Sequence, residues 1–309
     1  MEKRRIGSLE VSVVGLGCNN IGKRVDPDAS TKVLYAAFDA GINFLDTADI
    51  YSGTKSEECL GMVLQSRRKD VVIATKFGMA LDEHRRGAKP KYIKQAVEAS
   101  LKRLNTDYID LYQLHQPDPE TQIGETLAAL DGLVRDGKVL EIGCSNFSAE
   151  QLIEAQDAVA DKAARFISVQ NEYNMLNRAV EVDVLPECRR LNIAFLPFFP
   201  LASGLLTGKY RKGDLAPPGA RFGPGGFSAH LFNDKTLATV EALSENAAQH
   251  GQTPLQLAFS WLLRYSEIPS VIAGAMTPDQ VRANASAYVG PLSGAVSYTH
   301  LTLPTNREV

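Results

Sequence analysis

The sequence has few of the features that mark several common protein classes. Cysteine occurs only four times, at Cys18, Cys59, Cys144 and Cys188, and no two form a CxxC pair. Zinc-finger and thioredoxin-like chemistry are therefore without support, and no metal is expected. Reduced thiols in a cytoplasmic protein are the simpler expectation. An excess of one charge is absent too: 33 Lys and Arg against 36 Asp and Glu leave a net charge of -3. That balance gives no electrostatic footprint for nucleic acid. The Arg67-Arg68-Lys69 run is short and is expected to be a solvated helix end. The stretch from Ile6 to Leu16 is broken by Gly, Ser and Glu, so neither a signal peptide nor a spanning helix is read there, and no membrane partner is expected. The GxGxxG fingerprint of doubly wound sheets is also missing, since Gly15-Leu16-Gly17 runs on into Cys18-Asn19-Asn20.

What is present is an alternation of two periods. Short apolar runs rich in β-branched residues are predicted strands at Val13–Gly17, Asn43–Asp46, Val71–Lys76, Ile109–Leu114, Glu141–Ser145, Phe166–Gln170, Ile193–Leu196 and Ser270–Ala273. Their near-continuous hydrophobicity suits parallel strands buried on both faces. Amphipathic stretches lie between them. They include Ala29–Ala40, with Gly41 at a C-terminal cap position, a segment opened by Ser56-Glu57-Glu58, then Tyr92–Leu104, Ile123–Arg135, Ala149–Val159 and Val182–Leu191. Three more, near Asp234–His250, Pro254–Arg264 and Pro278–Ala287, complete the series. Eight strands alternating with helices predict an α/β fold, a (β/α)8 TIM barrel, as one domain over residues 1–295. The Gly- and Pro-rich stretch of residues 200–233 is expected to form a lid over the barrel mouth. Residues 296–309 break the preceding pattern, resemble translated sequencing-adapter DNA and are read as a non-native tail.

Polar residues gather at the ends of the predicted strands. Asp46, Lys76, His115, Ser145, Asn146 and Gln170 all close a strand, and Tyr51 lies in the loop after the second. In an α/β barrel these positions share the C-terminal face, where active sites form. Such a set suits carbonyl reduction. An oxygen gaining negative charge needs a proton donor, and a phenol is too weak an acid until a nearby ammonium favours its anion. On this reading Lys76 supplies the cation, Asp46 holds it, Tyr51 gives the proton and His115 orients the carbonyl.

The segments Asn43-Phe-Leu-Asp46-Thr-Ala-Asp-Ile-Tyr51, Ala74-Thr-Lys76-Phe-Gly, Asp110-Leu-Tyr-Gln-Leu-His115, Gly137-Lys-Val-Leu-Glu-Ile-Gly-Cys-Ser145-Asn146-Phe and Pro200-Leu-Ala-Ser-Gly-Leu-Leu-Thr-Gly208-Lys resemble those of the aldo-keto reductase superfamily. The resemblance implies a barrel that binds an extended nicotinamide dinucleotide across its mouth, with Asp46, Tyr51, Lys76 and His115 as the catalytic tetrad. It implies Ser145, Asn146 and Gln170 at the nicotinamide carboxamide, Phe198 stacked on the ring, and Leu201, Ser203, Gly204 and Leu205 along the pyrophosphate. Gly274, Gln280 and Asn284 fall in the segment that meets the adenosine end. Many relatives carry Arg or Lys at positions where this chain has Met276, Thr277 and Gln280. NADP(H) is the expected cofactor, with NAD(H) as the alternative. The substrate, a small carbonyl or alcohol, is expected in an apolar pocket lined by Asn20, Tyr51, Phe77, His115 and Phe222. Two other readings stay open: a Schiff-base aldolase using Lys76, and a nicotinamide-binding regulatory subunit with slow turnover. Oligomeric state is not legible.

Overall fold

A computed structural model describes residues 1–290, apart from 212, 217–220, 224, 225, 227 and the Ser66 side chain. The tail assigned to residues 296–309 lies outside the described residues. An antiparallel hairpin comes first, β1 (Lys3–Ile6) and β2 (Leu9–Ser12). Eight parallel strands follow: β3 (Val14–Gly17), β4 (Phe44–Asp46), β5 (Val72–Phe77), β6 (Ile109–Leu114), β7 (Val139–Ser145), β8 (Phe166–Glu172), β9 (Ala194–Phe198) and β10 (Val271–Gly274). Their order is β10-β3-β4-β5-β6-β7-β8-β9, and β9 lies against β10, so the sheet forms a nearly closed (β/α)8 barrel. Every residue of β5 and β6 is buried, which is why these strands read as continuous apolar runs.

The helices are α1 (Pro27–Asp39), α2 (Lys55–Leu64), α3 (Pro90–Leu104), α4 (Ile123–Arg135), α5 (Ala149–Asp157), α6 (Val184–Leu191), α7 (Asp234–Gln249), α8 (Pro254–Leu263) and α9 (Pro278–Ala285). Local chemistry fixes their ends. Proline opens α1, α3, α8 and α9, where the missing N–H costs nothing, and Ser148 and Thr253 close capping boxes on α5 and α8. Gly41, at φ +79°, follows the end of α1 in the left-handed conformation expected of it.

The hairpin was not foreseen. Its strands are only four residues long, and Gly7 (φ +55°) with Ser8 makes the turn. Ile6, Leu9 and Val11 pack against Phe44, Val72, Leu111, Leu196 and Ile272, sealing the N-terminal end of the barrel. Each such burial contributes about 1.5–3 kcal/mol, so the hairpin is a hydrophobic plug that leaves only the opposite end open. The basic run also differs from expectation. Arg67 and Lys69 are exposed, but Arg68 turns inward, pairs with Asp110 at 2.6 Å and donates to the Tyr108 and Val71 carbonyls. A guanidinium can be held this way because its planar fork serves several acceptors at once.

Candidate active site

The parallel register lifts Asp46, Lys76 and Gln170 to one level of the barrel. Asp46 pairs with Gly17 on one side and Ala74 on the other, Lys76 with Gln113, and Gln170 with Ser145 and Leu196. Lys76 is fully buried and its Nζ donates to Asp46 Oδ1 at 2.7 Å, to the Thr47 carbonyl at 2.9 Å and to Tyr51 Oη at 3.4 Å. The Tyr51 and His115 rings meet edge to face, with centroids 5.8 Å apart. The four residues expected to act together are therefore brought together, although two come from strands β4 and β5 and two, Tyr51 and His115, from the loops after β4 and β6.

The charge states follow from burial. Desolvation opposes the Lys76 cation, but Asp46 and Tyr51 more than offset it and hold its pKa above the ordinary lysine value. Tyr51 departs from expectation: burial raises its pKa more than the Lys76 ammonium lowers it, so the phenol is a neutral donor at rest. His115 is driven down to about 3 by burial and by the Lys76 charge, leaving a neutral imidazole at neutral pH.

A cavity of about 830 Å³ opens beside this cluster. Its walls include Asp46, Tyr51 and His115, then Ser145, Asn146, Gln170 and Phe198 from the next strand ends, Leu201, Ser203 and Gly204 from the loop after β9, and Gly274, Gln280 and Asn284 from the last strand and helix. Asn146, Phe199, Ala202 and Ser203 adopt left-handed backbone, with φ between 46° and 61°. Such strain in non-glycine residues clusters where a loop is shaped around a ligand. Gly204, at φ +102°, presents bare backbone to the cavity and needs the freedom of glycine. A cleft of this size with Phe198 in its wall and a glycine cradle fits a dinucleotide.

Some expected positions fall elsewhere. Phe77 does not line the cavity; it is fully buried and stacks on Tyr112 at 4.6 Å, because the side chain after Lys76 on a strand faces the opposite side. Leu205 is likewise a core residue, buried under the loop rather than along the cleft. Ser145 donates to the Gln170 carbonyl at 2.7 Å, and Asn146 to the His115 carbonyl at 2.9 Å. Gln170 donates to Asp46 Oδ2 at 2.8 Å. These three thus brace the strand ends as well as facing the cleft. Asn20 and Phe222 do line the cavity, whose surface is mainly apolar, with Arg24, Lys209 and Arg221 also in its lining. Arg221 reaches from the long loop after β9 to the Asn20 and Asn19 side-chain oxygens, at 3.0 and 3.3 Å. Lys209 had a signal in the Gly208-Lys209 end of the loop motif, whereas Arg24 and Arg221 sit in segments with no periodicity to single them out.

An eight-stranded barrel with a buried acid–base cluster opening on a long cleft at its C-terminal mouth is an enzyme's architecture. The chain belongs to the aldo/keto reductase family, whose model matches residues 13–296. It is an oxidoreductase of that family. It is 35% identical over 301 residues to a probable voltage-gated potassium channel subunit beta from Arabidopsis thaliana, covering 93% of this chain and 91% of that one. It is 34% identical over 306 residues to the Schizosaccharomyces pombe aldo-keto reductase yakc, named for NADP(+), covering 94% and 88%. Among solved structures it is similar to the glycerol dehydrogenase of Gluconobacter oxydans, with a TM-score of 0.83 and 30% identity over 97% of this chain and 94% of that one.

Proposed function

We propose that the protein reduces small aldehydes or ketones, or oxidises the matching alcohols, with Tyr51 as the acid–base residue and NADP(H) in preference to NAD(H). The observation that carries this reading is the buried Lys76 ammonium placed between Asp46 (2.7 Å) and the Tyr51 hydroxyl (3.4 Å), the two residues through which it reaches the cleft. When bound, the nicotinamide dinucleotide supplies a hydride to the carbonyl carbon. Tyr51 passes its proton to the carbonyl oxygen, and Lys76 stabilises the phenolate left behind. Asp46 keeps the lysine in place, and the neutral His115 donates a hydrogen bond that orients the oxygen. Ser145, Asn146, Gln170 and Phe198 would hold the nicotinamide end; Leu201, Ser203 and Gly204 the pyrophosphate; Gly274, Gln280 and Asn284 the adenosine end. Asn20 and Phe222 would border the substrate. Four free, buried cysteines support a reducing compartment such as the cytoplasm. Schiff-base chemistry at Lys76 is disfavoured, because its nitrogen is buried, already engaged, and off the cavity wall.

A panel of small carbonyls assayed with NADPH and with NADH tests the reading: turnover with NADPH is expected, and none with either cofactor would sink it. The relative named as a channel subunit favours one second reading, a nicotinamide-binding subunit that acts through a partner. Stable association with another protein, with negligible turnover across the panel, would point there.

A further inference from the structure

Behind the wall that carries Tyr51 lies a cluster of ionisable groups that the reduction does not use. The segment from Asp46 to Tyr51 folds back over the end of β5, where Thr47 N donates to the Ala74 carbonyl at 2.8 Å and Asp49 N to the Lys76 carbonyl at 3.0 Å. The Asp49 side chain is buried at 1% exposure. The groups that face it are Glu57 of α2, Arg103 and Tyr92 of α3, Lys76 of β5 and Tyr112 of β6.

This cluster is one cation short. Arg103 Nε donates to Glu57 Oε2 at 2.7 Å, and Thr75 donates to the other Glu57 oxygen at 2.6 Å. Lys76 is committed to Asp46. Asp49 is left with no side-chain donor on either oxygen among the described residues, and only the adjacent Ile50 N–H lies near them. A buried carboxylate without a cation or side-chain donor, beside a second carboxylate, is strongly disfavoured, and the simplest relief is a proton. Burial first, and the Glu57 charge second, push the Asp49 carboxyl up to about 7.

We infer that Asp49 is a positioning residue: as a neutral acid it lets the loop that carries Tyr51 stay packed on β5 through its backbone bonds, and its ionisation loosens that loop. The role rests on the reading of Tyr51 given above. It is distinct from catalysis, because Asp49 does not line the cleft and reaches the reacting atoms only through the loop.

The test compares the wild type with Asp49→Asn, a permanently neutral near-isostere, over about pH 5 to about pH 8.5. Two quantities are measured, Tm and kcat at saturating cofactor. The folded-state pKa is raised, so the wild type loses stability as pH climbs from the ordinary aspartate value to about 7. The Tm of Asp49→Asn is therefore expected to gain on the wild type over that range and then run parallel. Wild-type kcat is expected to fall by about tenfold between about pH 6 and about pH 8, while that of Asp49→Asn holds level. Should Asp49→Asn fail to fold, Glu57→Gln gives the same answer: removing the neighbouring carboxylate, which also frees Arg103, lowers the Asp49 pKa and moves the fall in kcat to lower pH; an unmoved profile overturns the proposal. Parallel Tm and kcat profiles for wild type and Asp49→Asn overturn it as well. So does a Tm response without a kcat response, which would make Asp49 a buried acid with no hold on Tyr51. A wild type that turns over no carbonyl at any pH would instead fault the reading of Tyr51, and the Tm comparison still decides the charge of Asp49.

Discussion

The side-chain amide of Gln170 donates to Asp46 Oδ2 over 2.8 Å, while Lys76 occupies the other oxygen at 2.7 Å. Asp46 is thereby held both by the neighbouring strand β5 and by β8 across the barrel, and its partner lysine cannot drift without breaking a buried ion pair. Gln113 adds only a long contact at 3.4 Å to the same Oδ2. Replacing Gln170→Leu leaves that oxygen short of a strong donor. The expected cost is about 1–3 kcal/mol of stability, together with a drop in kcat from a less well-placed Lys76. Chemical denaturation and steady-state rates check both; a variant as stable and as fast as the wild type would remove Gln170 from the clamp.

Tyr51→Phe deletes the hydroxyl and keeps the ring that packs edge to face on His115. The cleft retains its shape, so NADPH affinity, read from quenching of protein fluorescence, is expected to stay the same. Turnover is expected to fall by about 10²–10⁴-fold, the range that a positioned proton donor contributes. Turnover near the wild-type rate would show that the proton comes from elsewhere.

The contrast between those two residues also shows what a sequence can reveal. Asp46, Lys76 and Gln170 were readable because strand ends in a parallel barrel share one rim, and the register delivers them to one level. The strand and helix series was readable for the same reason: full burial makes strands such as β6 continuous apolar runs. Gln170's grip on Asp46 was not, since it spans 124 residues of sequence and depends on which way an amide turns. Phe77 misled because proximity to Lys76 in sequence says nothing of which strand face it takes, and that face belongs to Tyr112. The β1–β2 hairpin escaped notice because two four-residue strands carry too little alternation to register. Arg221 lies in a loop without periodicity and acquires meaning only when it crosses to Asn20.

His115 offers a pH test with a definite sign. Its folded-state pKa lies near 3, against 6.5 for the free side chain, because burial and the Lys76 charge oppose the imidazolium. Stability tied to this group is present above about pH 6.5 and is lost as pH falls toward the folded value, where only the unfolded chain takes up the proton readily. His115→Gln has nothing to titrate. The wild type is expected to lose about 1.4 kcal/mol per pH unit relative to this variant between about pH 6 and about pH 4. Stability curves from urea unfolding at several pH values check it, and a constant difference between the two proteins would place the imidazole in a wetter, more polar setting.

The part of the cleft proposed to take the adenosine has room for a gain in affinity. Met276 is 40% exposed on the cavity wall, directly before α9, and its backbone N–H donates to Gln280 Oε1 at 2.7 Å. Thr277 caps the same helix by accepting from Gln280 N at 3.2 Å. Gln280 is thus spent on ordering the turn, and Arg282 is tied to Asp279 at 2.6 Å on the solvent side. A cation introduced at Met276→Arg would stand beside the positive end of α9, where an added phosphate gains both a charge-assisted hydrogen bond and the helix field. On the proposed binding mode NADPH would bring its 2′-phosphate there and NADH a hydroxyl, so the gain would belong to one cofactor alone. The KM for NADPH is expected to fall by about tenfold, equivalent to about 1.4 kcal/mol, with the KM for NADH unchanged. An equal change for both cofactors would mean that the new side chain meets the shared pyrophosphate instead, and that the 2′ position lies away from the start of α9.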